Sequence, residues 1–237
     1  MTQQLPGTLV GSGRNADVYD IGEGRVLRRY RDRRPPAWVT REAEVMAHAR
    51  AHGVPVPEVF DVTGSDIVME RAVGPTMLDV VGSRPWTFRA HTRLLARLHA
   101  AVHRVPPLDW QPAPFADDTP DTAQEVLLHR DLHPQNVILA ADGPRIIDWE
   151  GAARGPALAD VATTWVIIVF SEVPGPRLQA AIVRPLQARI GRAFLRAAGP
   201  VDRNWLDLAV RHRIVDGNLL PSERTRLERR LRKLPGR

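Results

Sequence analysis

Over its first seventy or so residues the chain alternates apolar and polar positions in short runs, the signature of strands rather than long helices. Thr8–Val10 and Ala16–Ile21 flank the small-residue turn GSGRN as the two arms of a hairpin would. Arg25–Tyr30 sets Val26 and Leu27 beside Arg28 and Arg29 and reads as a third strand. Val39, Ala43, Met46 and Ala47 then fall at helical spacing, which predicts a helix over 38–52 closed by Gly53. VPVPEVFDV and DIVMERAV supply two more extended segments, and Pro55 and Pro57 favour a turn leading into the first of them.

Past Gly74-Pro75 the period changes. Residues 86–105 form an amphipathic helical pattern with Leu94, Leu95, Leu98 and Val102 on one face. A loop rich in proline and aspartate, PPLDWQPAPFADDTPDT, separates it from LLHRDLHPQNVIL. That stretch and the following IIDW read as two short strands joined by AADG. From Pro156 onward the pattern is helical, over roughly 157–172, 176–198, 203–216 and 221–233. The last of these places Leu227, Leu231 and Leu234 on one face, as a docked terminal helix would. The order predicts an α+β protein with a small β-rich lobe, 1–73, a larger helical lobe, 74–237, and a hinge near 70–75.

Composition narrows the class. A chain of 237 residues, 43% hydrophobic and 25% charged, has the make-up of a globular protein with a sizeable core. There is no cysteine, which excludes disulfides and cysteine-ligated zinc. The apolar run around Val166–Phe170 is too short to span a bilayer and reads as a buried helix. MTQQLPGTLV has neither a basic nor an apolar leader region, so a cytoplasmic location without membrane partners is expected. The net charge is +6, carried by arginine throughout apart from Lys233. Arginines run from Arg14 to Arg237 with carboxylates among them, a distribution that argues for a solvated surface and against a nucleic-acid partner.

LLHRDLHPQNVIL packs His129, Asp131, His133 and Asn136 into eight positions, and metal ligands, an acid–base set or a polar turn all fit that crowd. Spacing discriminates among them. Asp131 and Asn136 are five apart, and Asp148 follows Asp131 by seventeen. Phosphoryl transfer needs one carboxylate to orient the attacking hydroxyl and take its proton, and an amide and a second carboxylate to hold magnesium on the nucleotide phosphates. Asn136 and Asp148 offer the oxygen ligands that magnesium prefers.

With HRDLHPQN followed by IIDWEG, the chain resembles the aminoglycoside phosphotransferase and choline kinase family, relatives of the protein kinases. The family pattern is H-G-D-x-H-x-x-N, and Arg130 stands where its glycine does. The resemblance implies a two-lobed protein-kinase-like fold and the cofactors ATP and Mg2+. Asp131 would be the catalytic base, His133 would sit close to the transferred phosphate, and Asn136 and Asp148 would hold the metal. His129 and Asp160 would be structural, Asp160 holding the backbone of the catalytic loop. Gly11, Gly13 and Val18 of GSGRNADVY match the glycine-rich nucleotide loop, with Ala16 in place of its last glycine. Met69 and the backbone of Glu70 to Ala72 would border adenine.

The departure concerns the nucleotide lysine of that family. Here Arg28 takes its position, with Glu42 as the helix partner and Glu44 as the fallback. Arginine can bridge two phosphates, but it is longer and planar, so the geometry is not equivalent. Two functions follow: a kinase of a small hydroxyl-bearing molecule, or a nucleotide-binding pseudo-enzyme impaired by the arginine. A basic adaptor for nucleic acid is a third. Residues 155–237 carry seven carboxylates against fifteen lysines and arginines, which argues for an acceptor of modest charge rather than a polycation.

Overall fold

The computed structural model describes residues 7–13, 15–31, 35–118, 124–172, 177–215 and 219–232, with the backbone alone for 177–182. Lys233 and Leu234 fall outside the described residues. Contacts divide the chain into two units, one formed by the residues up to Thr76 with Asn136–Ala152, the other by Met77–Gln135 with the residues from Ala153 onward.

The first unit is built on an antiparallel sheet of β1 (Thr8–Ser12), β2 (Ala16–Gly22), β3 (Arg25–Tyr30), β4 (Val59–Thr63) and β5 (Asp66–Glu70), in the order β1-β2-β3-β5-β4. Gly22 pairs with Arg25, so β2 and β3 are joined by two residues, Glu23 and Gly24. Both have positive φ, 52° and 69°, the backbone that a two-residue hairpin between right-twisted strands needs. One face of β3 and β5 is apolar and buried, with Val26 opposite Met69. Helix α1 (Pro36–Ala51) buries Val39, Ala43, Val45, Met46 and Ala49. Ala47, expected on the buried face, is exposed. Gly53, at φ 80°, ends the helix as anticipated from its position.

The hairpin β7 (Val137–Ala140) and β8 (Gly143–Ile146) joins this unit although it lies some seventy residues downstream of Thr76's strand neighbours. The Leu139 amide donates to the Pro75 carbonyl at 2.9 Å, and that of Ile146 to the Pro55 carbonyl at 2.7 Å. These bonds explain why the linear lobe boundary at 73/74 and the contact division differ: strand groups at a segment's edge must find partners, and these lie far back in the chain.

In the second unit, α2 (Met77–Ser83) and a short 3-10 turn precede α3 (Phe88–Val102), which buries Leu95, Leu98 and Val102. Strands β6 (Val126–Leu128) and β9 (Ala153–Gly155) pair antiparallel beneath α4 (Ala157–Phe170). Helix α4 is apolar on most of its circumference, as a central helix must be. It packs on α5 (Arg177–Ala198), α6 (Arg203–Ile214) and α7 (Pro221–Leu231). Ala162, Val166, Ala209, Val210 and Leu227 form the centre of that core. No helix among the described residues is long and apolar enough to cross a membrane.

Gly74 marks a tight backbone crossing in the first unit. A Cβ there would lie 2.3 Å from the Leu139 carbonyl oxygen, inside van der Waals contact with main chain that cannot rotate away. Gly74→Ala is expected to cost about 1–3 kcal/mol of stability by overpacking, read as a lowered denaturation midpoint in urea; an unchanged midpoint would mean that the crossing has slack.

Candidate functional site

Strand register decides where Arg28 points. It lies opposite Val18 on β2 and Ile67 on β5, and its side chain is almost wholly buried. The guanidinium is planar and carries donors on separate nitrogens, so it can serve two acceptors at once. Nη1 donates to Glu42 Oε1 at 2.7 Å and Nη2 donates to Asp148 Oδ1 at 2.7 Å. Glu150 Oε2 lies 4.0 Å from Nη2. Glu42 is itself pinned on its other oxygen by the Tyr30 hydroxyl. Burial pushes the Glu42 carboxyl above its ordinary value, against the pull of Arg28 and Tyr30. Burial also works against the charge of Arg28, but Glu42 and Asp148 outweigh it and keep the guanidinium protonated. Glu44 is exposed on the other side of α1.

Asn136 and Asp148 are brought together by the β7–β8 hairpin. Val137 pairs with Ile146, and the Ile147 amide continues the ladder by donating to the Asn136 carbonyl at 3.0 Å. Twelve residues apart in sequence, they therefore lie at the same end of one hairpin. Asn136 is buried and the Asp148 side chain is 40% exposed. Asp148 has φ 68°, a left-handed conformation that aspartate adopts more readily than most residues. The buried Trp149 secures the turn, its indole N–H donating to the Ile146 carbonyl at 3.1 Å. From the β1–β2 turn, the Asn15 amide reaches both carboxylate oxygens of Glu150 at 3.3 Å.

The turn is closed by a backbone hydrogen bond from the Gly13 amide to the Ala16 carbonyl at 2.9 Å. Neither Gly11 nor Gly13 has a positive φ, and a Cβ at either would meet ordinary contact distances. The fold does not demand glycine at these two positions. Met69 is buried in β5, and the Glu70 side chain accepts from Arg145 at 3.0 Å. The Ala72 segment follows as partly exposed backbone.

In the second unit, the loop around Asp131 is tied down on both sides. Ahead of Asp131, Asp160 of α4 accepts the Arg130 amide at 2.7 Å and the His129 amide at 3.2 Å. Behind it, the Thr164 hydroxyl donates to the Leu132 carbonyl at 2.9 Å, with His99 Nε2 3.2 Å from the same oxygen. His103 Nε2 lies 3.0 Å from Asp160, and His99 Nδ1 lies 3.5 Å from it. His99, His103 and Asp160 could offer three atoms to a metal ion, but both Asp160 oxygens already accept backbone amides, so the cluster reads as a clamp. It holds Arg130 at φ 66°, a conformation that glycine adopts freely and arginine at a cost of roughly 1–2 kcal/mol.

Asp131 feels opposing influences. Burial pushes its carboxyl up, but His133, with His129 and Arg213 behind it, outweighs burial and holds it below the ordinary value. His133 Nε2 is 3.6 Å from Asp131 Oδ2, and the His133 amide donates to the Asp131 carbonyl at 2.9 Å. The Asp131 amide in turn donates to His129 Nδ1 at 3.3 Å, which fixes the wholly buried His129.

The sequence profile of the phosphotransferase enzyme family matches residues 7–123 and 113–208. The chain belongs to this family. Among solved structures it is similar to a choline/ethanolamine kinase family protein from Mesorhizobium loti, at TM-score 0.61 and 16% identity over 94% of this chain and 87% of that one. It is also similar to the amicoumacin kinase hAmiN in complex with AMP-PNP, Ca2+ and Ami, at TM-score 0.57 and 14% identity over 96% of this chain and 87% of that one. The fold is protein-kinase-like, with a β-sheet N-terminal part and a helical C-terminal region. A curated relative, a probable bifunctional tRNA threonylcarbamoyladenosine biosynthesis protein from Methanoculleus marisnigri, is 42% identical over 100 residues, covering 38% of this chain and 19% of that protein. The chain spans well under half the length of the curated relatives it matches.

Sequence reasoning missed His99, His103 and Thr164. The signal was available: the two histidines are four apart, His99 on α3 and His103 at its C-terminal cap, and Thr164 is four residues after Asp160 on α4.

Two outcomes test these geometries. Asp160 is held well below its usual pKa by His103 and His99 despite complete burial, so its ionised form contributes stability above the ordinary aspartate range. That contribution is lost as pH falls through the depressed folded-state value. Asp160→Asn is expected to cost about 3–5 kcal/mol near neutrality, with the gap to the parent protein narrowing in acid unfolding curves. Arg28→Ala strands Glu42 in the core and is expected to lower stability by a similar roughly 3–5 kcal/mol. Arg28→Lys keeps one ion pair and is expected to lose less, measured by chemical denaturation.

Proposed function

We propose that the chain transfers the γ-phosphate of ATP to a hydroxyl of a small molecule, an antibiotic or a metabolite. The observation that carries this reading is Arg28 in the strand position of the nucleotide cation, joined to the buried Glu42 on α1 and to Asp148 beside Asn136. A protein without nucleotide chemistry has no need to bury a guanidinium between two carboxylates at that place.

The donor set fits magnesium. Asn136 and Asp148 offer hard oxygen atoms at one end of a hairpin, and with Glu150 nearby, two carboxylates beyond Glu42 share one guanidinium. Asn136 and Asp148 would hold the ion, which when bound supplies charge neutralisation to the phosphates. Arg28, fixed by its carboxylates, keeps further N–H donors for phosphate oxygens. Gly11 and Gly13 lack any folding requirement for glycine, which supports a role in letting a phosphate chain approach the backbone. Val18, opposite Arg28, and Met69 with the backbone of Glu70 to Ala72 would border the base.

Asp131 then works in its ionised form. It accepts a hydrogen bond from the acceptor hydroxyl, aligns that oxygen for attack, and takes the proton as the new bond to phosphorus forms. A carboxyl below its usual pKa is a weak base, so orientation is the larger part of its contribution. His133, next to it, would meet the transferred phosphate. The clamp from Asp160, Thr164 and His99 keeps the carboxylate in register, which matters because small misplacements of a reacting group are costly in rate.

The alternative of a pseudo-enzyme is favoured by one observation, that Arg28 Nη2 occupies an oxygen of Asp148. ADP release with Mg-ATP across an acceptor panel separates the two. The enzyme reading expects turnover that Asp131→Asn lowers by ~10²–10⁴-fold, with the nucleotide-dependent thermal shift intact. It also expects the acid limb of kcat/KM below the ordinary aspartate value of about 3.9. A thermal shift by nucleotide without ADP release from any acceptor would support the pseudo-enzyme instead.

A further inference from the structure

The positive charge of the chain is concentrated once its helices are located. α3 and α5 hold eight arginines and no carboxylate. The other 200 residues hold 25 lysines and arginines against 27 aspartates and glutamates, so the whole net charge of +6 originates on these two helices.

α3 and α5 pack against each other. Phe88 and Arg89 of the first and Arg189, Arg192, Ala193 and Arg196 of the second line one open cleft of about 230 Å³. All four arginines are exposed, and none forms an ion pair among the described residues. Several arginines elsewhere are paired with carboxylates, as Arg29 is with Asp66 and Arg145 with Glu70. Arg189, Arg192 and Arg196 recur at spacings of three and four, and Arg89, Arg93 and Arg97 at spacings of four, which aligns like charges along each helix. Such alignment is destabilising in the absence of a counter-charge. A ligand with a run of negative charges supplies it.

We propose that this face binds the phosphate backbone of a nucleic acid strand, a function separate from phosphoryl transfer. The row of arginines is longer than a single phosphate needs, and guanidinium forks bind phosphate oxygens bidentately. Trp86, in the 3-10 turn directly before α3, is 75% exposed and offers a ring on which a base can stack. A lipid surface is the weaker fit. A membrane-binding helix keeps an apolar stripe to insert, whereas Leu95, Leu98, Val102 and Phe194 are all spent in the protein core.

The test is anisotropy of fluorescein-labelled oligouridylate over a salt series, with the full chain. The expected result is binding whose log–log salt slope falls by about 1.4 in Arg189→Glu/Arg192→Glu, as for the loss of two phosphate contacts. The double variant Arg229→Glu/Arg232→Glu on and beside α7 has the same net charge and is expected to leave that slope near the parent value. Thermal unfolding of each variant verifies folding. Equal losses in both variants would reduce the effect to diffuse attraction and overturn the proposal, as would absence of binding at low salt. Patch-dependent sedimentation with phosphatidylserine vesicles, without oligonucleotide binding, would overturn it in favour of a membrane.

Discussion

A single guanidinium ties together the parts of the first unit that lie far apart in sequence. Arg28 comes from the sheet, Glu42 from the helix that follows, and Asp148 from a hairpin more than a hundred residues downstream. Charges so little exposed are costly to desolvate, and they persist because each has a partner in hydrogen-bonding geometry. Arginine does this better than lysine. A compact ammonium at the end of a flexible stem holds its partners as a point charge, whereas the planar fork fixes two carboxylates at a set angle. The departure from the family pattern at Arg28 is thus a gain in fixity around Asp148, at the expense of one donor that an incoming phosphate would otherwise meet.

The second unit solves a similar problem with backbone groups gathered around one buried carboxylate. A loop that must present Asp131 cannot satisfy its own backbone, so its amides and carbonyl are taken up by the side chains of α3 and α4. Asp160 is effective because it is buried, where the hydrogen bonds from two amides and His103 are least screened. That strength is what permits an arginine at a left-handed position. Arg130 loses roughly 1–2 kcal/mol to its backbone conformation, and the Asp160–amide bond, charge-assisted and short, offsets it.

How far the chain could be read without coordinates follows from the range of each interaction. The β1–β2 hairpin, helix α1 and the long helices were legible because their signals are local: turn residues, apolar period, a closing glycine. The nearness of Asn136 to Asp148 was legible because a two-strand hairpin fixes their spacing. The β6–β9 pair was not, since three-residue strands separated by twenty-four residues leave no periodic trace. Nor was α2, whose seven residues include a glycine and two serine or aspartate breakers of the pattern. His99 and Thr164 were read as parts of apolar helices because a polar residue on a buried face shows its purpose only when its partner, the Leu132 carbonyl, is located.

The concentration of charge on α3 and α5 also changes how the acceptor should be inferred. Five of the fifteen cations in residues 155–237 belong to α5, and three of these five line a cleft of their own with Arg89 of α3. A regional count therefore mixes two surfaces and says little about the neighbourhood of the base. The groups acting on the Asp131 charge are a better measure, and they are His133, His129 and Arg213, each of which favours the ionised carboxylate. A hydroxyl carried by a cation would meet the opposing charge of Arg213 as well as the attraction of the carboxylate, and an anionic acceptor would be repelled by the carboxylate itself. These opposed charges are consistent with our proposal of an acceptor of modest charge, which rests on the field at Asp131 rather than on the composition of a region.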